Sequence, residues 1–580
     1  MSQWISEEGH FTSFDGTELF YRSWKTPAAG KHALIAIHRG HEHSDRLSDQ
    51  IEELDLQDAW AFSWDCRGHG HSPGERGYAE RYDYHIKDLD AFARFVSNRY
   101  DIPVENMVVL ANSVGAVTAA AWVHDYAPRI RAMVLAAPAF RIRLYVPLAI
   151  PLLRLLQKLR GKTFISSYVK SRMLTHDPEQ SRKYDEDALI TRKISVNILL
   201  GLHDTSTRIL ADAGAIFTPT LILSAGSDWV VKNSAQRRFF EALSSAVKEM
   251  HLYPGFFHAV LYEKDRAQPI ACARQFIKKA FDTPCETAFL SDQDQKGYTR
   301  EEYDRLRQPP SLLAAIRFNM QKWLMQTVGR LSAGVRLGWQ TGFDSGKSLD
   351  YVYENRARGT TFIGRMMDRQ YLNSVGWQGI RERRANIDAS LRWAIEAVDT
   401  ADLNIRIVDI AAGPGRYVLE VTKDLPADKI SVLLRDREPG NLEVGADLAR
   451  TMKLENVTFE PADAFDREGL LSITPAPSIV IVSGLYELFP DNRPVLESLE
   501  GIAGVLQDGG YLIYTSQPWH PQIEMIARTL INRDGDPWIM RRRTQAEMDE
   551  LVLSVGLTKV ETRVDTHGIF TVSIAQKIPT

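Results

Sequence analysis

A serine that follows one apolar segment has the surroundings of a nucleophile. Asn112-Ser113-Val114-Gly115 comes directly after NMVVLA and precedes the small-residue stretch AVTAAAW. A tight turn from a strand into a helix lifts a serine side chain clear of a sheet, and it needs small neighbours. The pattern therefore predicts Ser113 as the nucleophile of an acyl transfer. Capping of the helix is the alternative role for this serine.

An acid and a base follow in the order that such a nucleophile requires. Asp228 comes after the apolar segment LILSAG, and His258 comes after the segment that ends in LYPG. The order serine, acid, histidine is typical of an α/β-hydrolase sheet. We expect His258 to accept the proton of Ser113 and Asp228 to orient the imidazole. His251 is the nearest rival base, but it lies inside its predicted strand.

A second cluster indicates a nucleotide-type cofactor. The loop Asp409-Ile410-Ala411-Ala412-Gly413-Pro414-Gly415 follows a predicted strand and precedes a helix, so its glycines let a ligand approach the backbone. An acid that ends the next strand, Asp436, can accept hydrogen bonds from ribose hydroxyls. The candidate cofactor-binding residues are Asp409, Ala411, Gly413, Gly415, Asp436 and Asp463.

Composition limits the class of protein. The chain has 580 residues and a net charge of −4, which suggests two to four domains and excludes a global basic attraction to nucleic acid. Cys66, Cys272 and Cys285 form no CxxC pair, so we expect no metal site. The N-terminus is acidic, and no stretch of about 18 apolar residues occurs. We expect a cytoplasmic protein, with peripheral contact at the inner face of the membrane as an open alternative.

Alternating strand and helix patterns predict two doubly wound α/β domains. The first is expected over residues 1–282, with a helical cap at 141–216 where the alternation is interrupted. The polar stretch 283–310 is interpreted as a linker, and 311–400 as an arginine-rich helical connector. A second α/β alternation of seven strand-like segments occupies 401–580.

Five motifs in the first domain, HRGHEHSDR, DCRGHGHSPGERG, ANSVG, SDWVV and FFHA, resemble the monoglyceride-lipase-like branch of the α/β-hydrolases. The resemblance implies ester hydrolysis, with a small-molecule or lipid ester as substrate. It also implies an oxyanion hole formed by the backbone N–H groups of Gly40 and Val114. Arg39 departs from the family pattern, in which a glycine stands here. It therefore favours either an anionic ester or a salt bridge to Glu42.

The last 180 residues resemble class I S-adenosylmethionine-dependent methyltransferases. The resemblance implies a seven-stranded sheet, the glycine loop at the methionine end of the cofactor, Asp436 at the ribose and Asp463 at the adenine amine. A dinucleotide-binding Rossmann domain is the alternative, although the loop lacks its third spaced glycine. Tyr486, Glu487 and His520 follow later strands and are candidates for the methyl-acceptor side.

The connector combines charge with an apolar helical face. Residues 356–392 contain eight arginines, three acids and no lysine, which predicts either recognition of an anionic headgroup or a network of Arg–acid pairs. One helical face predicts either packing against a domain or contact with a membrane; its members are Leu312, Ile316, Met320, Leu324 and Val328.

As a whole, the arrangement resembles bacterial fusions of a lipase-like hydrolase to a class I methyltransferase. We expect a bifunctional enzyme. A hydrolase regulated by a noncatalytic S-adenosylmethionine-binding module and a methyltransferase with a degenerate hydrolase are the alternatives. The sequence identifies neither the methyl acceptor nor the oligomeric state.

Overall fold

A computed structural model describes residues 4–27, 30–283, 289–401 and 404–579. The chain divides into two compact units, Met1–Ala288 and Phe289–Thr580. Cys66 and Cys272 are free thiols, whereas Cys285 lies outside the described residues. Of the described residues, no helix is long and apolar enough to cross a membrane, and no cluster of His, Cys, Asp or Glu could hold a metal ion.

The described residues of the first unit form ten strands and eight α-helices. The strands are β1 (Ile5–Thr12), β2 (Glu18–Lys25), β3 (His32–Ile37), β4 (Ala59–Trp64), β5 (Met107–Asn112), β6 (Ala132–Ala136), β7 (Phe164–Ser166), β8 (Lys193–Ser195), β9 (Thr220–Ala225) and β10 (Lys248–Tyr253). The helices are α1 (Ser48–Leu54), α2 (Asp83–Tyr100), α3 (Val114–Tyr126), α4 (Ala149–Arg160), α5 (Pro178–Glu186), α6 (Val196–Ala211), α7 (Asn233–Ala242) and α8 (Ala267–Asp282). Single 3-10 turns cover Ser44–Leu47, Val104–Asn106, Ser171–Met173, Ala213–Ala215 and Val260–Tyr262.

Eight of these strands form one sheet in the order β1-β2-β4-β3-β5-β6-β9-β10. Neighbouring strands pair in parallel along the series β4-β3-β5-β6-β9-β10. Strands β1 and β2 extend the sheet beyond β4 and pair in the antiparallel direction. Every residue of β5 is buried, as expected for a continuous apolar strand covered on both faces. The predicted doubly wound fold is confirmed; β1 and β2 were not predicted.

The predicted cap region holds helices α4, α5 and α6, but it is not purely helical. Strands β7 and β8 pair as a separate antiparallel hairpin, with Ile165 opposite Ile194. Each of these strands has only three residues, which is too short to give a recognisable alternating pattern in the sequence.

Seven strands and twelve α-helices lie in the part of the second unit that the structure describes. The strands are β11 (Ile405–Asp409), β12 (Ile430–Asp436), β13 (Val457–Pro461), β14 (Ile479–Val482), β15 (Tyr511–Ser516), β16 (Leu557–Val564) and β17 (Thr571–Lys577). The helices are α9 (Tyr298–Arg307), α10 (Leu312–Gln326), α11 (Ala333–Thr341), α12 (Gly346–Glu354), α13 (Phe362–Leu372), α14 (Val375–Thr400), α15 (Arg416–Thr422), α16 (Pro439–Met452), α17 (Arg467–Leu471), α18 (Asn492–Val505), α19 (Ile523–Thr529) and α20 (Gln545–Ser554). Single 3-10 turns cover Val328–Leu331 and Tyr486–Leu488.

The seven strands form one sheet in the order β13-β12-β11-β14-β15-β17-β16. Five strands are parallel, and β17 runs antiparallel to both β15 and β16. The Rossmann-like seven-stranded fold is therefore confirmed, and its last two strands form a hairpin. Helix α14 packs against this sheet through buried residues such as Leu391 and Ala394.

The interpretation of 283–310 as a linker is wrong for the described part of that segment from residue 289 onward. Helix α9 lies within it, and Thr299 and Leu306 are buried. The buried carboxylate of Asp294 accepts the backbone N–H of Asn492 at 2.8 Å, and Arg541 donates to the Thr299 hydroxyl at 2.9 Å. The polar composition misled the sequence interpretation because these polar groups have buried partners within the second unit.

One buried carboxylate connects three helices of the extension that precedes the second sheet. Asp368 on α13 is fully buried and accepts hydrogen bonds from the Ser332 hydroxyl at 2.6 Å, the Gly334 N–H at 3.0 Å, the Arg358 N–H at 2.7 Å and the Tyr351 hydroxyl. Burial alone raises its pKa, but these hydrogen bonds hold the pKa below its usual value. Asp368 therefore joins α11, α12 and α13.

We predict that Asp368→Asn loosens these three helices. The side-chain amide of asparagine can accept hydrogen bonds from fewer of the four donors. The free energy of unfolding of the extension should therefore fall by roughly 2–4 kcal/mol. Because the pKa of Asp368 is lowered by folding, its contribution should be lost as the pH falls below the unfolded carboxyl pKa. Amide hydrogen exchange over residues 333–372 measures this directly. The exposed Asp399→Asn on α14 is the control, and equal exchange in both variants would contradict the prediction.

Two candidate catalytic sites

Ser113 occupies a strained position between β5 and α3. Its backbone has φ 54° and ψ −108°, outside the conformations that serine ordinarily adopts, and its side chain makes no helix-capping hydrogen bond. The turn is tight because α3 approaches β3 closely: a Cβ added at Gly115 would lie 2.7 Å from the His38 carbonyl oxygen. The capping alternative for Ser113 is therefore not what the structure contains.

The structure brings the three residues of the predicted hydrolytic site together. The Ser113 hydroxyl lies 2.8 Å from Nε2 of His258, and Nδ1 of His258 lies 2.8 Å from Oδ2 of Asp228. The other carboxylate oxygen of Asp228 accepts the backbone N–H groups of Val230 and Val231. Burial raises the pKa of Asp228, but the nearby His258 and these hydrogen bonds lower it overall. All three side chains are buried, and the arrangement can activate a serine.

The rival base is placed elsewhere. His251 lies within β10, its side chain is about half exposed, and its ring lies 3.4 Å from the Glu249 carboxylate. It is not among the residues that line the cavity over Ser113.

Gly40 and Val114 lie next to each other beside Ser113. A Cβ added at Gly40 would lie 3.1 Å from Cγ2 of Val114, so the two backbone segments are close. Val114 is the first residue of α3, and its N–H therefore has no acceptor within that helix. Both residues line the same cavity as Ser113. The arrangement offers two backbone donors to an oxyanion that forms on a Ser113-bound carbonyl.

Arg39 pairs internally beside this loop. Its Nε donates to Oε2 of Glu42 at 2.9 Å, a second donor contacts Oε1, and its guanidinium lies 4.4 Å from the ring centre of Tyr262. Burial raises the pKa of Glu42, but the charge and hydrogen bonds of Arg39 outweigh it and lower that pKa to about 2. The salt-bridge alternative is therefore found. Glu42 thereby balances the charge of Arg39 beside the cavity.

His38 links the loop after β3 to the loop after β4. Nε2 of His38 accepts the backbone N–H of Cys66 at 3.1 Å, so the neutral ring carries its proton on Nδ1, which lies 2.7 Å from the Arg39 carbonyl oxygen. Burial lowers the pKa of His38 and keeps the ring neutral. Sequence reasoning quoted this histidine only as part of a motif, since neither hydrogen bond can be read from the residue order.

The cavity above Ser113 has a volume of about 480 Å³. Its wall is mainly apolar and includes the cap residues Leu144, Val146, Leu152 and Leu153.

The glycine loop of the second unit has the backbone conformation that only glycine adopts without strain. Gly413 has φ 55° and Gly415 has φ 64°. A Cβ at Gly415 would lie 2.4 Å from Cδ1 of Leu434, whereas open space surrounds the equivalent position at Gly413. The Gly413 N–H donates to Oδ2 of Asp436 at 2.8 Å. The loop and the acid at the end of β12 therefore meet, as predicted.

Asp409 stabilises the conformation of this loop. It is fully buried, accepts the Ala411 N–H at 3.2 Å and accepts the Tyr417 hydroxyl. Burial raises the pKa of Asp409 to about 7, against the opposing effect of these two hydrogen bonds. Asp409 holds the loop in shape and does not line the cavity.

A cavity of about 1060 Å³ opens beside the loop. Its wall contains six of the predicted cofactor-side and acceptor-side residues; they are Ala411, Gly413, Gly415, Asp436, Glu487 and His520. Asp463, which the resemblance assigns to adenine, is instead exposed and does not line this cavity. Its carboxylate accepts the Phe465 N–H at 3.0 Å, which stabilises a turn.

The acceptor-side candidates separate in the structure. Glu487 and His520 line the large cavity, but the buried Tyr486 does not, and its hydroxyl donates to Ser498 at 2.8 Å. Nδ1 of His520 accepts the Gln522 N–H at 3.0 Å, so the neutral ring carries its proton on Nε2. Burial lowers the pKa of His520 to about 4. His520 is therefore placed as a hydrogen-bond donor, and its use as a base is disfavoured.

Arg383 on α14 is a functional candidate that sequence reasoning did not single out. Its side chain is buried, lines the large cavity and lies 3.5 Å from the Glu487 carboxylate and over the Phe570 ring. Its neighbour Arg384 also lines the cavity and pairs with Glu420. The excess of arginine in 356–392 was the available signal, but nothing in the spacing distinguished these two arginines from the other six.

Comparisons with known proteins agree with this division. A family model described as "Putative methyltransferase" matches residues 273–577, and one described as "Serine aminopeptidase, S33" matches residues 28–265. The first match covers slightly more than half of the chain.

Relatives fall into two groups. "Uncharacterized protein YnbC" from Escherichia coli is 46% identical over 576 residues. The match covers 98% of this chain and 98% of that protein. "Monoacylglycerol lipase" from Mycolicibacterium smegmatis is 23% identical and covers 45% of this chain and 92% of its own length. "Phospholipase YtpA" from Bacillus subtilis is 25% identical and covers 44% of this chain and 97% of its own length. The chain therefore belongs to this methyltransferase family, and it joins a monoglyceride-lipase-like α/β-hydrolase unit to a methyltransferase unit.

Proposed function

We propose that the first unit is a serine ester hydrolase that works by two-step acyl transfer. The observation that carries this proposal is the continuous hydrogen-bonded chain from Ser113 through His258 to Asp228 beneath an apolar cavity. The strained backbone at Ser113 also supports a catalytic role, because such strain persists where function requires it.

Each step uses a group at hydrogen-bond distance. Oγ of Ser113 attacks the ester carbonyl carbon while Nε2 of His258 takes the hydroxyl proton, and Asp228 stabilises the imidazolium. The N–H groups of Gly40 and Val114 bind the oxyanion, and one such donor commonly contributes about 2.7–4 kcal/mol. His258 returns the proton to the leaving alcohol. It then deprotonates a water that releases the acid from the acyl-serine.

The substrate we propose is an ester with an apolar acyl chain. The cavity wall is mainly hydrocarbon, and Glu42 neutralises the one arginine beside the oxyanion donors. A long acyl chain would gain about 25 cal/mol for each Å² of apolar surface that enters the cavity. The names of two relatives, a monoacylglycerol lipase and a phospholipase, point to the same class of lipid ester.

We predict that a fluorophosphonate probe labels the wild-type chain and that Ser113→Ala abolishes labelling. Hydrolysis of a monoacylglycerol or lysophospholipid should fall by at least about 10³-fold in the same variant. Ser167→Ala is the matched control, because Ser167 lines the same cavity without contacting His258. Labelling of Ser113→Ala at the wild-type rate would refute the role of this serine.

We further propose that the second unit transfers a methyl group from S-adenosylmethionine. The residues fit this cofactor: the backbone at Gly413 is open to the cavity, and the Asp436 carboxylate stands at the end of the neighbouring strand. The glycine loop would hold the methionine end, and Asp436 the ribose hydroxyls. When bound, the cofactor supplies an electrophilic methyl group for in-line displacement.

The acceptor side of the cavity combines groups of both charges. Within the described residues, Oε2 of Glu487 has no hydrogen-bond partner, and neither has Nε of Arg383. Glu487 is therefore our candidate base for a hydroxyl or protonated amine. Arg383 and the Nε2–H of His520 are candidates for orienting the acceptor by hydrogen bonds. A small polar molecule or a lipid headgroup fits this set.

We predict that Asp436→Ala weakens binding of S-adenosylmethionine by at least about 30-fold, since two hydrogen bonds to an ionised carboxylate are lost. Titration calorimetry measures the affinity. Asp463→Asn is the control. Because Asp463 lies outside the cavity, this variant should bind S-adenosylmethionine with the affinity of the wild type. The cofactor assignment fails if Asp436→Ala binds as tightly as the wild type, or if the wild type does not bind.

A further inference from the structure

Helix α10 exposes an apolar face on the side opposite its buried side. Phe318 is buried, whereas six large apolar residues on the other side are between 44% and 81% exposed. These six residues are Leu312, Leu313, Ile316, Met320, Trp323 and Leu324. The face predicted from the sequence is thus present, and its side chains remain exposed on the second unit.

Two neighbouring elements enlarge this face. Val328 and Leu331 in the 3-10 turn after α10 are exposed, and so are Phe362, Ile363 and Met366 on α13. The turn and α13 are in contact, because a Cβ at Gly364 would lie 2.5 Å from the Leu331 carbonyl oxygen. We call these eleven residues the apolar surface. Exposed apolar area that is contiguous over three elements is uncommon unless it meets a partner.

Basic residues predominate in the segments that carry the apolar surface, although Arg358 pairs with Glu354 on α12 at 2.6 Å. Residues 311–343 contain four basic residues, Arg317, Lys322, Arg330 and Arg336, and no acidic residue. Residues 356–367 contain three arginines and no acidic residue. The first acid that follows, Asp368, is fully buried and accepts four hydrogen bonds, so it contributes little to the charge presented outward.

We propose that this surface docks the methyltransferase unit onto an anionic lipid bilayer. An apolar helical face flanked by lysine and arginine is the arrangement by which a helix lies in the interface of a membrane. Basic residues near an anionic leaflet are attracted to its negative surface potential. A second copy of the chain is the less suitable occupant, because pairing this surface with itself would bring like charges together.

The methyltransferase cavity lies on the inner side of the helix that carries the apolar surface. Gln321 and Met325 on the inner side of α10 line the methyltransferase cavity, while the outer side of the same helix carries the apolar surface. A bilayer seated on the outer side would therefore lie one helix diameter from the cavity wall. Docking places the cavity at the level of lipid headgroups and narrows the proposed acceptor to an amphipathic molecule. The docking itself does not depend on methyl transfer.

Flotation of the full-length chain with vesicles tests the docking. We expect the wild type to float with vesicles that contain phosphatidylglycerol and much less with pure phosphatidylcholine. Ile316→Asp combined with Trp323→Asp should lower the bound fraction by at least tenfold. Arg330→Glu combined with Arg365→Glu should lower it chiefly at low salt. The control is Leu155→Asp combined with Leu159→Asp, two exposed residues on α4 of the hydrolase unit, and it should retain binding.

A second measurement does not depend on the folding of a charged variant. Brominated phosphatidylglycerol should quench tryptophan emission of the wild type more strongly than that of Trp323→Phe. The proposal would be overturned by equal quenching of the wild type and Trp323→Phe. It would also be overturned by equal flotation of the wild type and Ile316→Asp/Trp323→Asp, or by flotation that is lost only in the α4 variant. So would light scattering that shows a dimer dissociated by Ile316→Asp/Trp323→Asp. Calorimetry with S-adenosylmethionine separates failure of docking from failure of the methyltransferase proposal, since it needs no membrane.

Discussion

Both candidate sites depend on one topological constraint, the point at which strand order reverses in a parallel sheet. In the first unit the reversal lies between β3 and β5, and it brings Gly40 after β3 beside Ser113 after β5. In the second unit it lies between β11 and β14, and it brings the glycine loop after β11 to the same cavity as Glu487 after β14. Loops that follow neighbouring strands diverge at such a point, so a crevice forms at the carboxyl edge of the sheet.

Buried polar contacts fix the loops that border each crevice. In the hydrolase unit, Glu42 neutralises Arg39 and His38 joins two loops, so the donors beside Ser113 are held before substrate arrives. In the methyltransferase unit, Asp409 holds the Ala411 amide while Asp436 holds the Gly413 amide. Such preorganisation is the main source of electrostatic stabilisation in enzyme sites. The two units thus use the same architecture at their candidate sites.

Sequence reasoning succeeded where a signal was local or followed chain order. The strand segments of both main sheets, apart from β1 and β2, were readable as apolar runs, and Ser113, Asp228 and His258 follow β5, β9 and β10 in the expected order. It failed where the outcome depended on tertiary partners. Asp463 caps a turn, Tyr486 bonds to Ser498, and the segment around Asp294 is buried against Asn492. The role of Arg383 also needed the structure, because eight arginines in one segment look alike until one of them lines a cavity.

The central claim is that one chain carries two separable activities. The most direct measurement supplies methyl-labelled S-adenosylmethionine and a bacterial lipid extract to the wild type, to Ser113→Ala and to Asp436→Ala, and then follows both fatty acid release and the labelled lipid. Our account predicts that Ser113→Ala loses fatty acid release but keeps methyl incorporation, and that Asp436→Ala shows the reverse. Loss of both products in either variant, or absence of a labelled product from the wild type, would contradict it.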